Sequence, residues 1–173
     1  MAQDALTFGI DEEMVFGGKL MRVAGLARFE GASGQRTTRY LLAEAFGAPV
    51  ILEQGDERFS QLRPLPSGSQ PHAAGNVLTV GDQKYSLVAT RKLKVIGVAG
   101  QAFGATPKAQ LLLSGIFEGP AGTLMREMAP GTAMQVYYLV KRLGAGEVLS
   151  ATQHAAIKEA ERRAAGDRPL EQD

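Results

Sequence analysis

The chain has 173 residues, 45% of them hydrophobic, and its 19 Lys and Arg nearly cancel 18 Asp and Glu. That is enough chain to bury one real core, and it leaves no global field to gather nucleic acid or an anionic bilayer. Cysteine is absent and the two histidines, His72 and His154, lie far apart, which excludes disulfides, thiolate metal sites, a cysteine nucleophile and a histidine-rich zinc or iron centre.

The amino terminus, MAQDALTFGIDEEMVFGG, has no basic segment leading into an apolar one and carries four acidic residues among its first thirteen, unlike a signal or transit peptide. No run of about 18 apolar residues occurs, so no transmembrane segment is expected. The reading is a soluble, cytoplasmic protein of bacterial style.

Ala5 to Ile10 and Met14 to Phe16 suit short strands, separated by the charged break Asp11 to Glu13. Gly17-Gly18 is a tight turn into Lys19 to Glu30, KLMRVAGLARFE, whose alternation puts Met21, Val23, Gly25, Ala27 and Phe29 on the cleaner apolar face. A glycine in mid-strand at Gly25 predicts a bulge or bend. After the turn Gly31 to Gly34, Arg36 to Phe46 reads as a strand, and Ala48 to Glu53 as a short buried partner for it.

From Arg63 to Gly75 the composition shifts to RPLPSGSQPHAAG, an extended connector with little core of its own. Arg63-Pro64-Leu65-Pro66 lacks the proline spacing of a groove ligand and reads as linker. Gly81-Asp82 then turns into a strand in which Tyr85, Leu87 and Ala89 alternate with Lys84, Ser86 and Val88. Leu93, Val95 and Gly97 continue opposite Lys92, Lys94 and Ile96. Gly97 to Gly104 is rich in glycine but lacks the Gly-Lys-Ser/Thr ending of a phosphate loop, and reads as a flexible hairpin loop.

Ala109 to Leu143 organises the rest: three runs rich in β-formers, cut by Gly-Pro-Ala-Gly and Ala-Pro-Gly-Thr, describe a buried antiparallel meander. Ser150 to Ala165 changes to helical period, with Ser150 and Gln153 spaced as a capping box, Glu159 and Arg163 at i,i+4, and Gly166 to terminate. Its apolar face is alanine plus Ile157, so it should pack weakly.

Two groups of residues are candidate binding sites. Lys92 and Lys94 form a basic stripe if they share a strand face, able to hold an acidic partner or a phosphate group; a solvated face is the plainer reading. Arg126 and Glu127 sit inside the apolar meander, with Tyr137 and Tyr138 facing them in the next strand. Neighbours on a strand point to opposite faces, so Arg126 and Glu127 are no preformed pair and one of them should face the core. A structural hydrogen bond from a tyrosine to Glu127 is the sober reading, and a small pocket for a cationic or amide ligand the sharper one; Glu127→Gln should lower thermal stability. No catalytic elbow, metalloprotease helix or close aspartate pair occurs, so an enzyme is not expected.

The runs KLMRVAGLARFE, TRYLLAEAFGAPVILE, VLTVGDQKYSLVATRKLKVIGVAG, LSGIFEGPAGTLMREM and MQVYYLVKRLGAGEVLS together resemble the bacterial domain-of-unknown-function family 4178, from about Phe16 to Ser150. Tyr40-Leu41-Leu42 stands where the family has an aromatic-containing strand, and Tyr85 in the restart strand; the family's aromatic-rich region is poor here, since tryptophan is absent. The resemblance implies a mostly β fold of two related halves. It also implies an accessory role beside membrane-stress, polyamine-synthase-like and small membrane proteins, and no catalytic residue.

The expected fold is therefore mostly β: one domain built as two small curved antiparallel sheets or half-barrels in pseudo-repeat, with one C-terminal helix. Lobe one covers about 5–62, the connector 63–76, lobe two 77–149 and the helix about 150–165. The expected function is a non-enzymatic accessory or interaction module with a protein partner, no cofactor, no metal and no nucleic acid. Membrane association would be peripheral and through that partner. A cation or polyamine-like ligand sensor and a homo-oligomeric structural subunit, as of a phage particle, stand as alternatives.

Overall fold

The computed structural model describes residues 8–43, 48–55, 58–103, 111–131, 135–144 and 146–166, without the side chain of Ser67. Its strands are Glu13–Phe16 (β1), Lys19–Glu30 (β2), Arg36–Ala43 (β3), Val50–Gly55 (β4), Arg58–Pro64 (β5), His72–Ala74 (β6), Val77–Val80 (β7), Gln83–Gly100 (β8), Leu111–Gly119 (β9), Gly122–Met128 (β10), Gln135–Arg142 (β11) and Val148–Ser150 (β12). One helix, Ala151–Gly166 (α1), follows.

All pairings are antiparallel, in the order β12-β1-β2-β3-β4-β5-β11-β10-β9-β8-β7-β6, with β2 also bonded to β8. That last pairing decides the architecture. It joins β2 to β8 and closes β2-β3-β4-β5-β11-β10-β9-β8 into one eight-stranded barrel, in place of the two open half-barrels expected from the sequence. The first run of strands supplies four staves and the second four, so each lobe's open edges are paired by the other. Closure removes exposed ladder groups that two separate half-barrels would leave to water.

β8 makes this possible by its length of 18 residues. Its start pairs with β7, its middle with β9 from Ser86 to Lys94, and its end with β2 from Lys94 to Gly100. Gly97 to Gly100, expected to begin a flexible loop, is therefore a paired strand, and Gly104 lies outside the described residues. The closing seam ends at Gly25 opposite Gly100. A Cβ on Gly25 would run into the Gln101 carbonyl oxygen, and Gly100 has φ +71° with its own Cβ direction blocked by the Ala24 carbonyl. The register also shifts between Val23 and Gly25, the bulge expected there.

Alternation along each strand sorts the side chains into three layers. Facing inward are Ala27, Phe29, Leu93 and Leu112 in one cluster, and Leu41, Ile51, Leu62, Met125 and Tyr138 in another. Outside the barrel, Tyr40, Leu42, Leu52 and Phe59 are covered by Phe8, Met14 and Val148, which β1, β12 and the segment before them bring over the wall. On a separate outer face, Tyr85, Phe117, Leu124 and Tyr137 are covered by Leu78 of β7 and by Leu65. The connector thus contributes to the core. Arg63 and Pro64 belong to β5, paired with β11, and His72 to Ala74 forms the terminal strand of the sheet.

Two further differences concern the ends. Phe8 to Ile10 forms no strand; Phe8 instead packs its ring edge-on to Tyr40, centroids 5.8 Å apart, and Ala5 to Thr7 lie outside the described residues. The helix begins as expected: Gln153 N donates to Ser150 Oγ and Ser150 N donates to Gln153 Oε1, each at 3.0 Å. None of its residues is buried. Its alanine face supplies too little area to hold it against the barrel.

Candidate functional site

Arg39 and Glu127 form the centre of the barrel. β3 and β10 stand four places apart in the ring of eight, so side chains pointing inward from them meet across the middle. Arg39 Nη1 and Nη2 donate to Glu127 Oε1 and Oε2, a bidentate pair whose members are each 2% exposed. Arg39 Nε donates to Glu53 Oε2 at 2.8 Å. Arg91 Nη1 reaches Glu53 Oε1 at 3.1 Å, and its Nη2 lies 3.4 Å from Ser114 Oγ and 3.2 Å from Met125 Sδ. Arg91 Nε finds no acceptor among the described residues.

The strand register explains why these four charges converge. Arg39 is directly opposite Glu53, Glu53 opposite Ser60, and Ser60 opposite Arg142, one row on the inner face of β3, β4, β5 and β11. Glu127 is opposite Ser114, and Ser114 opposite Arg91, a second row on β10, β9 and β8. The rows meet where Arg39 and Arg91 reach the two carboxylates. Two guanidinium groups and two carboxylates cancel, which is the condition for keeping such groups inside. The Phe29 ring lies under Arg39, 4.9 Å from its guanidinium carbon.

Burial opposes the charge on Arg39, but Glu127 and Glu53 outweigh it and raise its pKa. Glu53 is under the same tension: burial works to raise its carboxyl, and the Arg39 and Arg91 charges win and hold it below the ordinary value. Burial pushes the Tyr138 phenol up to about 12, with Arg39 acting against the rise.

The four residues marked in the meander are divided by the barrel wall. Glu127 and Tyr138 are on the inner side, and the partner of Glu127 is Arg39 rather than a tyrosine. Arg126 and Tyr137, directly opposite each other, are on the outer side. There Arg126 lies over the Phe117 ring at 5.2 Å, and the Tyr137 hydroxyl donates to Gln135 Oε1 at 2.9 Å. They do not line one pocket. Arg39 and Glu53 were not singled out from the sequence. The available signal was an arginine alternating with Thr37 and Leu41 on a strand whose other neighbours are apolar.

Lys92 and Lys94 do share a face. With Thr90 they point outward from β8, between the inward Arg91, Leu93 and Val95, and both are exposed. Opposite them on β9 stand Leu113 and Leu111, the latter 37% exposed, and Ile96 beyond is 42% exposed. Neither lysine makes an ion pair among the described residues; Glu30, across from Lys94, leans to Arg36 instead.

Two clefts reach the charged network from outside. One, of about 720 Å³, lies between β4, β5 and the segment after β11 and has Glu53 in its wall. The other, about 370 Å³, lies beside the turn from β2 to β3 and reaches Arg91. Among the described residues no three His, Asp or Glu side chains are grouped to hold a metal ion, and no helix is long and apolar enough to cross a membrane. Comparison with protein-family models, with curated proteins and with solved structures finds no match to this chain.

Proposed function

We propose that this chain is a non-enzymatic interaction module that docks an acidic protein surface on the outward face of β8. The observation that carries the reading is the pair Lys92 and Lys94, side by side, exposed and without an ion pair among the described residues, flanked by exposed Ile96 and Leu111. Like charges held together on a rigid strand favour an acidic partner, and exposed aliphatics beside them add area that such a partner would bury. An accessory role is also what the resemblance to the bacterial domain-of-unknown-function family 4178, read from the sequence alone, implies. The ligand-sensor alternative loses its proposed anchor, because the Glu127 carboxylate is already engaged by Arg39.

The test is affinity purification of the tagged protein from native cells, on soluble and membrane fractions, beside Lys92→Glu/Lys94→Glu. The expected result is a stoichiometric partner that the double variant loses and that a compensating acidic-to-lysine change in the partner restores. A partner retained unchanged by the double variant, or none with the wild type, overturns the reading.

A further inference from the structure

The larger cleft has the chemistry of an anion site. Its walls carry Arg58 at the start of β5 and Arg142 at the end of β11, with Ser60 and Glu53 between them and Phe59 and Leu143 as an apolar side. Arg58 and Arg142 are exposed, and neither makes an ion pair among the described residues. Guanidinium groups left free in a concave site are suited to oxyanions, since their fork of donors matches a phosphate or carboxylate edge.

Glu53 does not cancel them. Its charge is already met by Arg39 and Arg91 from inside the barrel, so the cleft presents two guanidinium charges that have no ion pair among the described residues. A phosphate monoester, with close to two negative charges at neutral pH, matches that count better than a single carboxylate. The volume, about 720 Å³, exceeds what an inorganic ion fills and falls in the range of small-ligand sites. A carboxylate has about four acceptor positions. Glu53 uses some of them for Arg39 and Arg91, leaving acceptor capacity for a ligand hydroxyl.

The wall is also fixed in place. Leu143 N donates to the Phe59 carbonyl at 3.0 Å, Gly17 N donates to the Glu147 carbonyl at 3.2 Å, and Gly144 N donates to the Glu147 carboxylate. The rim residues Gly55, Gly144 and Gly146 have no side chains to fill the opening.

We infer that this cleft binds a phosphate monoester with a hydroxylated organic body, held by Arg58 and Arg142 and oriented by Glu53 and Ser60. The site lies on other residues than Lys92 and Lys94, so either proposal can fail alone. Isothermal titration with glycerol phosphate, a hexose phosphate and plain glycerol tests it on the full chain. Saturable heat is expected from the esters and none from glycerol. Arg58→Ala and Arg142→Ala should each weaken binding roughly tenfold or more. Arg63→Ala, on β5 but outside the cleft, should leave it unchanged.

A second arm uses phosphatidylcholine vesicles with and without phosphatidic acid. Co-sedimentation that requires phosphatidic acid and is lost in Arg58→Ala/Arg142→Ala supports the site with a lipid head group as its source. Heat from the soluble esters without co-sedimentation supports it with a free metabolite as its source. No binding in either arm up to about 10 mM ester, or binding that survives the double variant, overturns the inference.

Discussion

Arg39 and Glu127 are 88 residues apart in the chain and hold each other through two parallel hydrogen bonds across the inside of the barrel. One comes from the first run of strands and the other from the second. Their pairing places charge inside a barrel whose interior is just wide enough for side chains to fill. Apolar clusters lie around it, with Phe29 and Leu93 in one, and Leu41 and Tyr138 in another.

Removing one member of such a pair leaves the other buried without its partner. Arg39→Met or Glu127→Met should each lower the unfolding free energy by about 3–5 kcal/mol, measured by urea denaturation. Glu127→Gln, which keeps the shape and loses the charge, should cost less. The double variant Arg39→Met/Glu127→Met should recover most of the loss, because two thioether chains can fill the space without a charge to satisfy. Losses that simply add in the double variant would mean the two residues act independently.

Stability should fall on both sides of a neutral plateau. Glu53 has a lowered carboxyl pKa in the folded state, so its contribution is complete above the ordinary value of about 4.3. As pH falls, the unfolded chain takes up the proton first and that contribution is lost through the lower folded value. Tyr138 runs the other way. Its phenol is pushed up to about 12, so above about 10 the unfolded chain ionises first and stability declines as pH rises. In melts across pH, Glu53→Gln should flatten the acid limb and Tyr138→Phe the alkaline limb. An acid limb of unchanged steepness in Glu53→Gln would assign it to other carboxylates.

Gly25→Ala tests the seam. The added methyl would collide with the Gln101 carbonyl where β2 and β8 end their pairing, and backbone gives way less readily than a side-chain tip. The substitution should cost about 3 kcal/mol. It should also raise amide exchange along Val95 to Gly100, while β10 and β11 stay protected. Gly97→Ala, on the β8 side of the same seam and with open space around its Cβ direction, is the control and should change little. Equal behaviour of the two variants would show that close approach at Gly25 is unimportant.

Local structure was largely legible in the sequence. Period-two alternation marked β2 and β8, position between two turn signals marked β3, runs of β-formers marked the meander, glycine and proline marked the turns, and Ser150 with Gln153 marked the helix start. Each of these signals acts between residues a few positions apart. Alternation also foretold that Arg126 and Glu127 would part to opposite faces and that Lys92 and Lys94 would share one.

Closure was not legible, because it depends on which distant strands find each other. Gly97 to Gly100 has little intrinsic preference for strand, and its hydrogen bonds to β2 alone make it one. Glu127 in a strand announces only that it needs a partner. That the partner is Arg39 follows from the ring of eight strands, which sets β3 opposite β10. Likewise Arg58, Ser60 and Arg142 become one cleft only when β5 pairs with β11. Short-range periodicity determined the staves, and the tertiary structure decided their order around the barrel, since register between remote strands is set by the whole set of side chains packed inside it.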